Sequence, residues 1–299
     1  QTCALPISGS RSRLGCAAVK FGMQGANLGR YASRDGAIQL IETAEAVGLA
    51  TLWTADHIVL PTAYESFYPY SPDGKIPGDR TDFDFPELLM WMAYVAGAVR
   101  TVRMATGVVI LPQRNPLLLA KQFATLDNLM VAPLALGIGV GWLEEECVAL
   151  GVPWERRAAR TDEYVAAMRA LWGEGPTTFH GEFCDFDAIH CLPRPRQGTI
   201  PVIVGGHTEA AARRAGRLGD GFYPWKLPLD RLAHLIGVMR TAAVEAGRDP
   251  DAIEIIAGEE KDPDQYGRLA ELGVTEIVMG PMGLDKLKRF GDEVIAVHG

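Results

Sequence analysis

The sequence predicts a single (β/α)8 TIM barrel, because short apolar segments alternate with amphipathic ones from residue 19 to the C-terminal end. Eight such apolar segments occur, and their consecutive apolar residues are typical of parallel strands buried on both faces. Eight strand–helix units in a chain of this length match the size of a (β/α)8 barrel. A doubly wound sheet is the structural alternative, but it would usually have fewer units and a reversal point.

The predicted strands are, in order, 19–25, 51–57, 104–111, 134–141, 200–205, 221–224, 253–257 and 276–279. The first helix is expected to begin at Asp35, because apolar residues then recur at helical spacing, and to end before Gly48. The remaining helices are expected between the later strands and after them.

Two predicted connections are longer than the ~2–6 residues of ordinary barrel loops. The first follows strand 2, spans 60–86, and is rich in aromatic residues that include Tyr64, Phe67, Tyr68 and Tyr70. The second is an insertion after strand 4, spans 142–198, and is expected to hold a helix over 161–172 and a hairpin turning near 181 and again near 187. Long loops after barrel strands lie at the C-terminal face, so a lid or pocket wall is expected there.

Composition narrows the function classes. The chain has 29 Lys and Arg against 37 Asp and Glu, a net charge of −8, so no basic surface indicates nucleic-acid binding. No apolar run reaches the ~18 residues of a membrane span, and we expect no membrane association. The five cysteines are scattered without a paired motif, which indicates neither a disulfide scaffold nor a metal site and favours a cytoplasmic protein.

The first 18 residues differ from the rest, since they show neither alternation nor a helical stripe. We expect the segment 1–18 to be non-native or disordered and the barrel domain to span 19–299.

Candidate site residues cluster where predicted strands end. Asp56 and His57 end strand 2, and a histidine at that position can move a proton or stabilise a developing negative charge. The alternative is a structural histidine bonded to a neighbouring carbonyl. The strand position favours the functional interpretation.

Strand 4 ends in a run of alternating glycines followed by an aromatic residue, 137–142, which contains Gly139, Val140, Gly141 and Trp142. Alternate glycines face one side of a strand and would leave bare backbone against which a flat ring could lie. Tight packing between barrel strands is the alternative. The spacing is not that of a dinucleotide-binding fingerprint.

Strand 5 ends at Gly205, Gly206, His207 and Thr208, and a helix is expected to begin immediately afterwards. Free amides at a helix N-terminus together with the Thr208 hydroxyl indicate a cradle for a phosphate group. Arg213 and Arg214, one turn further along the helix, support an anion site. An ordinary turn would explain the glycines equally well.

In strand 3, Gly107 and Val108 suggest a bulge.

Short motifs spread over more than 200 residues give the chain a resemblance to the luciferase-like monooxygenase superfamily, in its branch that uses the deazaflavin coenzyme F420. The motifs lie at 53–57, 70–74, 105–108, 114–116, 120–122, 125–127, 136–142, 160–164, 179–183, 204–208 and 218–221.

The resemblance implies a (β/α)8 barrel whose mouth holds the tricyclic ring over a bulge in strand 3, often with a non-proline cis peptide. That peptide maps to Gly107–Val108. It also implies that Asp56 and His57 lie beside the pyrimidine edge of the ring, that 139–142 pass under the cofactor, and that 205–208 bind its phosphate. Homodimers are frequent in the family.

The expected activity is reversible hydride transfer between F420 and a small organic substrate. His57 is expected to transfer the proton or stabilise charge, and Asp56 is expected to orient His57. An FMN-dependent monooxygenase on the same fold is the first alternative, since the same features bind either ring. A flavin- or deazaflavin-binding protein without turnover is the second.

Overall fold

The computed structural model of the chain describes residues 19–76 and 80–299. The expectation of a non-native or disordered segment at 1–18 lies outside the described residues.

Strands and helices alternate from Lys20 onward. The strands are β1 (Lys20–Gln24), β2 (Thr51–Thr54), β3 (Arg103–Thr106), β4 (Val109–Ile110), β5 (Leu134–Gly139), β6 (Thr177–His180), β7 (Asp185–Ile189), β8 (Val202–Gly205), β9 (Gly221–Tyr223), β10 (Glu254–Gly258) and β11 (Val274–Met279). The helices are α1 (Arg34–Ala46), α2 (Leu88–Val95), α3 (Pro116–Leu129), α4 (Glu144–Ala149), α5 (Arg157–Trp172), α6 (Glu209–Leu218), α7 (Leu229–Glu245), α8 (Tyr266–Glu271), α9 (Leu284–Phe290) and α10 (Ala296–His298).

The main sheet is a closed parallel barrel. Its strands pair in the order β3–β2–β1–β11–β10–β9–β8–β5–β4, and the ring closes where Met104 of β3 pairs with Leu134 of β5. The two short strands β3 and β4 share the third position, so the barrel has eight positions with helices between them. The predicted fold class is confirmed.

Local sequence signals explain where the helices begin. Ser33 precedes α1 and accepts a hydrogen bond from the amide of Gly36, and α1 ends just before Gly48, whose φ is +73°. Asn115 caps α3 in the same way, and Pro116 occupies the first helical position, where its missing N–H costs nothing.

The third strand is interrupted at Gly107 and Val108, as the sequence predicted, and the peptide bond between these two residues is cis. The bulge separates β3 from β4, although both strands pair with β5.

The insertion after the fourth barrel position contains α4, α5 and the antiparallel hairpin β6–β7. The hairpin turns at Gly181, whose amide donates to the carbonyl of Cys184, as predicted. The prediction of a second turn near Asp187 is wrong, because β7 continues to Ile189. The backbone there departs from a regular strand only at Ala188, whose φ is +48°.

The barrel interior is a separate core from the layer between strands and helices. Its members are buried side chains from seven strands: Trp53, Ala105, Ala135, Ile203, Tyr223, Ile256 and Val278. A half-buried tryptophan of a neighbouring loop, Trp225, packs against them. Within residues 19–76 and 80–299, no helix combines the length and the apolar character needed to cross a membrane.

Candidate active site

All barrel strands are parallel, so the residues that follow their C-terminal ends gather at one rim, which we call the mouth. The predicted candidates follow β2, β3, β5 and β8 and therefore share this rim. Side-chain contacts connect Trp142 to His57 on one side of the mouth and Tyr70 to His207 on another.

His57 is held by a residue that the sequence analysis did not single out. Its Nδ1 lies 2.7 Å from Oε2 of Glu146, in helix α4 of the insertion, and the imidazole is only 13% exposed. The other Glu146 oxygen, Oε1, accepts from the backbone amides of Ile58 and Val59. Glu146 therefore fixes both the histidine ring and the backbone that follows it.

The charge state of Glu146 determines which His57 nitrogen carries the proton. Burial acts to raise the pKa of Glu146, but hydrogen bonds from His57 and from the Ile58 amide outweigh it, so the pKa lies below its usual value. An ionised carboxylate only accepts hydrogen bonds, so Nδ1 of His57 is the donor. Nε2 is then the nitrogen free to exchange a proton at the mouth.

Asp56 does not orient His57, contrary to the sequence-based expectation. The buried Asp56 carboxylate instead accepts from Arg114 at 2.6 Å and from the Ile110 amide at 3.0 Å. Arg114 also binds Glu87, which caps α2. Asp56 therefore anchors the strand end and the start of α2 behind the histidine.

Aromatic side chains surround His57 and Trp142. The rings of Phe85 and Trp142 stand edge-on to His57, with centroids 5.6 and 5.8 Å away. Tyr64 and Tyr68 of the long loop pack against Trp142 at 5.5 and 5.1 Å. The loop thus forms the aromatic wall that the sequence predicted.

The glycines of β5 do not leave an open face for a ring. A methyl group added at Gly137 would lie 1.8 Å from the Thr106 carbonyl oxygen, and one at Gly141 would lie 2.8 Å from Ile110. A methyl group at Gly139 or at Gly205 would lie 2.6 Å from the Val108 side chain. The alternative, tight packing of strands, is therefore correct here, and these glycines admit the bulge.

A half-buried amide side chain holds the bulge from the barrel interior. Gln24, the last residue of β1, donates from Nε2 to the Gly107 carbonyl oxygen and accepts from the Tyr223 hydroxyl at 3.3 Å. Burial raises the pKa of Tyr223 well above its usual value, so its hydroxyl remains a donor. Gln24 and Tyr223 were missed by the sequence analysis; their only signal is a polar side chain at a strand end.

The turn after β8 has the features of an anion site. Gly206 has a φ of +125°, a conformation that side chains rarely allow, and Thr208 caps α6 by accepting from the Ala211 amide. Nδ1 of His207 is buried, and no partner for it lies in residues 19–76 or 80–299. Burial and the nearby Arg231 guanidinium lower the pKa of His207, so its imidazole is neutral near pH 7.

Arg213 and Arg214 do not support this turn, contrary to expectation. Arg213 pairs with Glu209 on the exposed face of α6, and Arg214 pairs with Asp162 of α5. Arg231 is instead the cation whose charge lowers the pKa of His207.

Val140 is half-buried between Gly139 and Gly141 at the mouth.

A surface cavity of about 690 Å³ lies beside Phe85, between the end of the long loop after β2 and the start of α1, with Arg30, Asp35 and Asp84 in its lining. Among the described residues, no group of three or more His, Cys, Asp or Glu side chains could hold a metal ion.

Comparison with known proteins assigns the chain to a family. The model for luciferase-like monooxygenases matches residues 18–259. The chain belongs to the luciferase-like monooxygenase family, a family of oxidoreductases on the TIM barrel, which confirms the resemblance noted in the sequence.

Individual relatives agree with this assignment. An uncharacterized protein of Mycobacterium tuberculosis is 34% identical over 277 residues, which cover 87% of this chain and 94% of that protein. An F420-dependent glucose-6-phosphate dehydrogenase of Amycolatopsis mediterranei is 29% identical over 232 residues, 74% of this chain and 64% of the enzyme. A solved F420-dependent secondary alcohol dehydrogenase, in complex with an F420-acetone adduct, shares the fold with a TM-score of 0.75 at 20% identity, over 94% of this chain and 100% of its own.

Proposed function

We propose that this protein is an oxidoreductase that transfers a hydride between the deazaflavin coenzyme F420 and a small organic substrate. The observation that carries the proposal is the His57–Glu146 pair at the barrel mouth, because it presents a proton-exchanging nitrogen where family members carry out redox chemistry. The F420-dependent names of relatives at 29–33% identity support this coenzyme over FMN.

The mouth fits a flat cofactor with an anionic tail. Gly107, Val108, Val140 and Trp142 would surround the ring, and Gly139 and Gly141 would shape the pocket indirectly, by admitting the side chains of Val108 and Ile110. Gly205, Gly206, His207 and Thr208 would hold the anionic part, since the N-terminus of α6 lies at this turn together with Nδ1 of His207, which has no partner in the described part of the chain. A side chain at residue 206 would meet Ala211 at 2.9 Å, so the glycine keeps this turn open.

When bound, the deazaflavin supplies a ring carbon that accepts or donates the hydride. The chain's own residues position the partners and handle the proton. His57 would donate or accept it at Nε2, since Glu146 engages Nδ1. The aromatic wall of Tyr64, Tyr68 and Phe85 would exclude water, which strengthens the electrostatic effect of His57 on developing charge.

A binding titration tests the cofactor. Purified protein is titrated with F420 and, in parallel, with FMN, and fluorescence quenching is followed. We expect tight binding of F420 and at least about tenfold weaker binding of FMN, a difference of ~1.4 kcal/mol. A preference for FMN would contradict the proposal and direct the next assay to oxygen uptake.

Turnover is tested with the protein loaded with F420. Oxidised coenzyme is mixed with small alcohols and sugar phosphates, reduced coenzyme with the matching carbonyl and unsaturated compounds, and the F420 absorbance is followed. We expect reduction or oxidation with at least one compound. A reduced coenzyme that stays bound while no acceptor is consumed would instead favour the binding protein without turnover.

We also propose that two copies of the chain associate through α2. Met90, Ala93, Tyr94 and Gly97 follow helical spacing on one solvent-exposed face, and Met90 is 71% exposed. An apolar helix face of this kind is typical of an interface between subunits.

A further inference from the structure

The loop after β2 is attached to the insertion at two separate points. We call its residues 60–76 the lid. Just before the lid, the amides of Ile58 and Val59 bind Glu146, as described above. Within the lid, Glu145 accepts from the amides of Glu65 and Ser66 and from the Ser66 hydroxyl, at 2.6, 3.1 and 2.7 Å. Two adjacent carboxylates of one short helix therefore hold two different parts of the loop.

The second attachment also completes helix α4. The residue before this helix is Leu143, whose side chain cannot cap it. The Ser66 hydroxyl supplies the cap from the lid, because it accepts from the Glu144 amide at 3.0 Å while it donates to Glu145. Lid and helix end therefore stabilise each other.

Glu145 is ionised throughout the neutral range. Burial acts to raise its pKa, but the hydrogen bonds from Ser66 and Glu65 outweigh this effect and lower the pKa to about 2. Hydrogen bonds to an ionised acceptor are roughly twice as strong as those between neutral groups.

The lid is folded on itself, so fixing one point fixes its aromatic residues. The Tyr68 amide donates to the Gly74 carbonyl, and the Ile76 amide donates to the Tyr64 hydroxyl at 3.0 Å. The Lys75 ammonium lies 4.5 Å from the centre of the Tyr64 ring. The lid meets the mouth through Tyr64 and Tyr68 on Trp142 and through Tyr70 on His207. These ring contacts are weakly directional, unlike the three bonds to Glu145.

We propose that Glu145 is the positioning residue that holds the lid over the mouth through Ser66, and that it does so independently of the His57–Glu146 pair. Loss of the Glu145 contacts would then release the lid while Glu146 keeps its bonds to His57, Ile58 and Val59. Because Tyr68 and Tyr70 border the mouth, Glu145 would govern how substrates enter and are retained; this consequence for catalysis rests on the proposed function.

Amide hydrogen exchange tests the attachment without any cofactor. Glu145→Gln is compared with Glu144→Gln, which removes one charge from the same helical turn and leaves every backbone amide in place. We expect exchange over 64–70 to become about tenfold faster in Glu145→Gln and to be unchanged in the control. Ser66→Ala removes the other side of the contact and is expected to have the same effect. Equal exchange in Glu145→Gln, Ser66→Ala and the unmodified protein would overturn the proposal.

Steady-state kinetics tests the independence of the two attachments. We expect Glu145→Gln to raise KM by about tenfold and to leave the pH profile of kcat unchanged, because His57 keeps its partner. Glu146→Gln is expected to change that pH profile. If Glu145→Gln altered the profile as Glu146→Gln does, the claim of independence would be wrong. Failure of every compound to turn over would refute the proposed function alone, since the exchange experiment still decides the role of Glu145.

Discussion

The Nδ1 atom of His57 and the Oε2 atom of Glu146 lie 2.7 Å apart, although 89 positions separate the two residues in the chain. The contact joins the end of a barrel strand to a helix of the insertion, and it makes the insertion part of the candidate active site. It also determines which imidazole nitrogen is available at the mouth.

Replacing His57 with Ala is expected to lower turnover by about 10²- to 10⁴-fold, because the proposed proton-exchanging group is lost. Cofactor binding is expected to persist, since the turn at 205–208, proposed to hold the anionic part of the cofactor, is untouched. Single-turnover kinetics and the fluorescence titration measure the two effects. His180→Ala, on the exposed β6–β7 hairpin, is the control. Unchanged turnover in His57→Ala would remove this residue from the mechanism.

Replacing Arg114 with Met is expected to lower the free energy of unfolding by about 3–5 kcal/mol, because the buried Asp56 carboxylate loses its cation. Urea denaturation measures the change. Asp56→Asn in the Arg114→Met background should recover part of the loss, since the unpaired charge is then removed. Arg34→Met, which breaks a fully exposed ion pair, should leave the free energy of unfolding almost unchanged. A similarly small loss in Arg114→Met would contradict the network described here.

Replacing Gly205 with Ala is expected to destabilise the fold by about 1–3 kcal/mol, because the new methyl group would lie 2.6 Å from Val108. The penalty should fall by more than half when Val108 is also replaced by Ala. Thermal unfolding of the two single variants and the double variant gives the coupling between the positions. Additive effects would mean that Val108 does not occupy the space beside Gly205.

Replacing Glu276 with Gln is expected to make stability less sensitive to pH. Glu276 is buried inside the barrel and accepts from Trp53 and Thr51, and burial raises its pKa above the ordinary value of 4.5. A raised folded-state pKa contributes stability below pH 4.5 that is lost as the pH rises through that pKa. The free energy of unfolding of Glu276→Gln, relative to that of the parent protein, should therefore increase as the pH rises above 4.5. Urea denaturation at several pH values from pH 5 to pH 8 measures this difference. Glu174→Gln, at an exposed position, is the control. A constant difference between variant and parent over this range would contradict the assignment.

The double variant in which Met90 and Tyr94 are both replaced by Arg is expected to convert the proposed dimer to a monomer. The introduced positive charges of the two subunits would face each other across the apolar surface of α2. Light scattering coupled to size-exclusion chromatography measures the mass. Val244→Arg, at an exposed apolar residue of α7, should leave the mass unchanged. A monomeric parent protein would refute the dimer.

Structural features that depend on residues close together in the sequence were predictable from the sequence. The strand–helix alternation determined the barrel, because buried parallel strands must be apolar on both faces. A helix was expected immediately after Thr208, and α6 begins at Glu209. The bulge at Gly107 and Val108 and the helix start near Asp35 were likewise local in origin.

Partners of charged side chains were decided only by the tertiary structure. Asp56 precedes His57 in the sequence, yet its carboxylate binds Arg114. Glu146, 89 positions further along the chain, is the residue that holds His57. Nothing in the run of three glutamates at 144–146 distinguishes the residue that binds His57 from the one that binds the lid. Sequence determined which segments end at the mouth, because strand and helix signals are short-range. Packing of the insertion against the barrel determined which side chains meet there, because hydrogen bonds and ion pairs depend on the distance and orientation of groups in the folded structure.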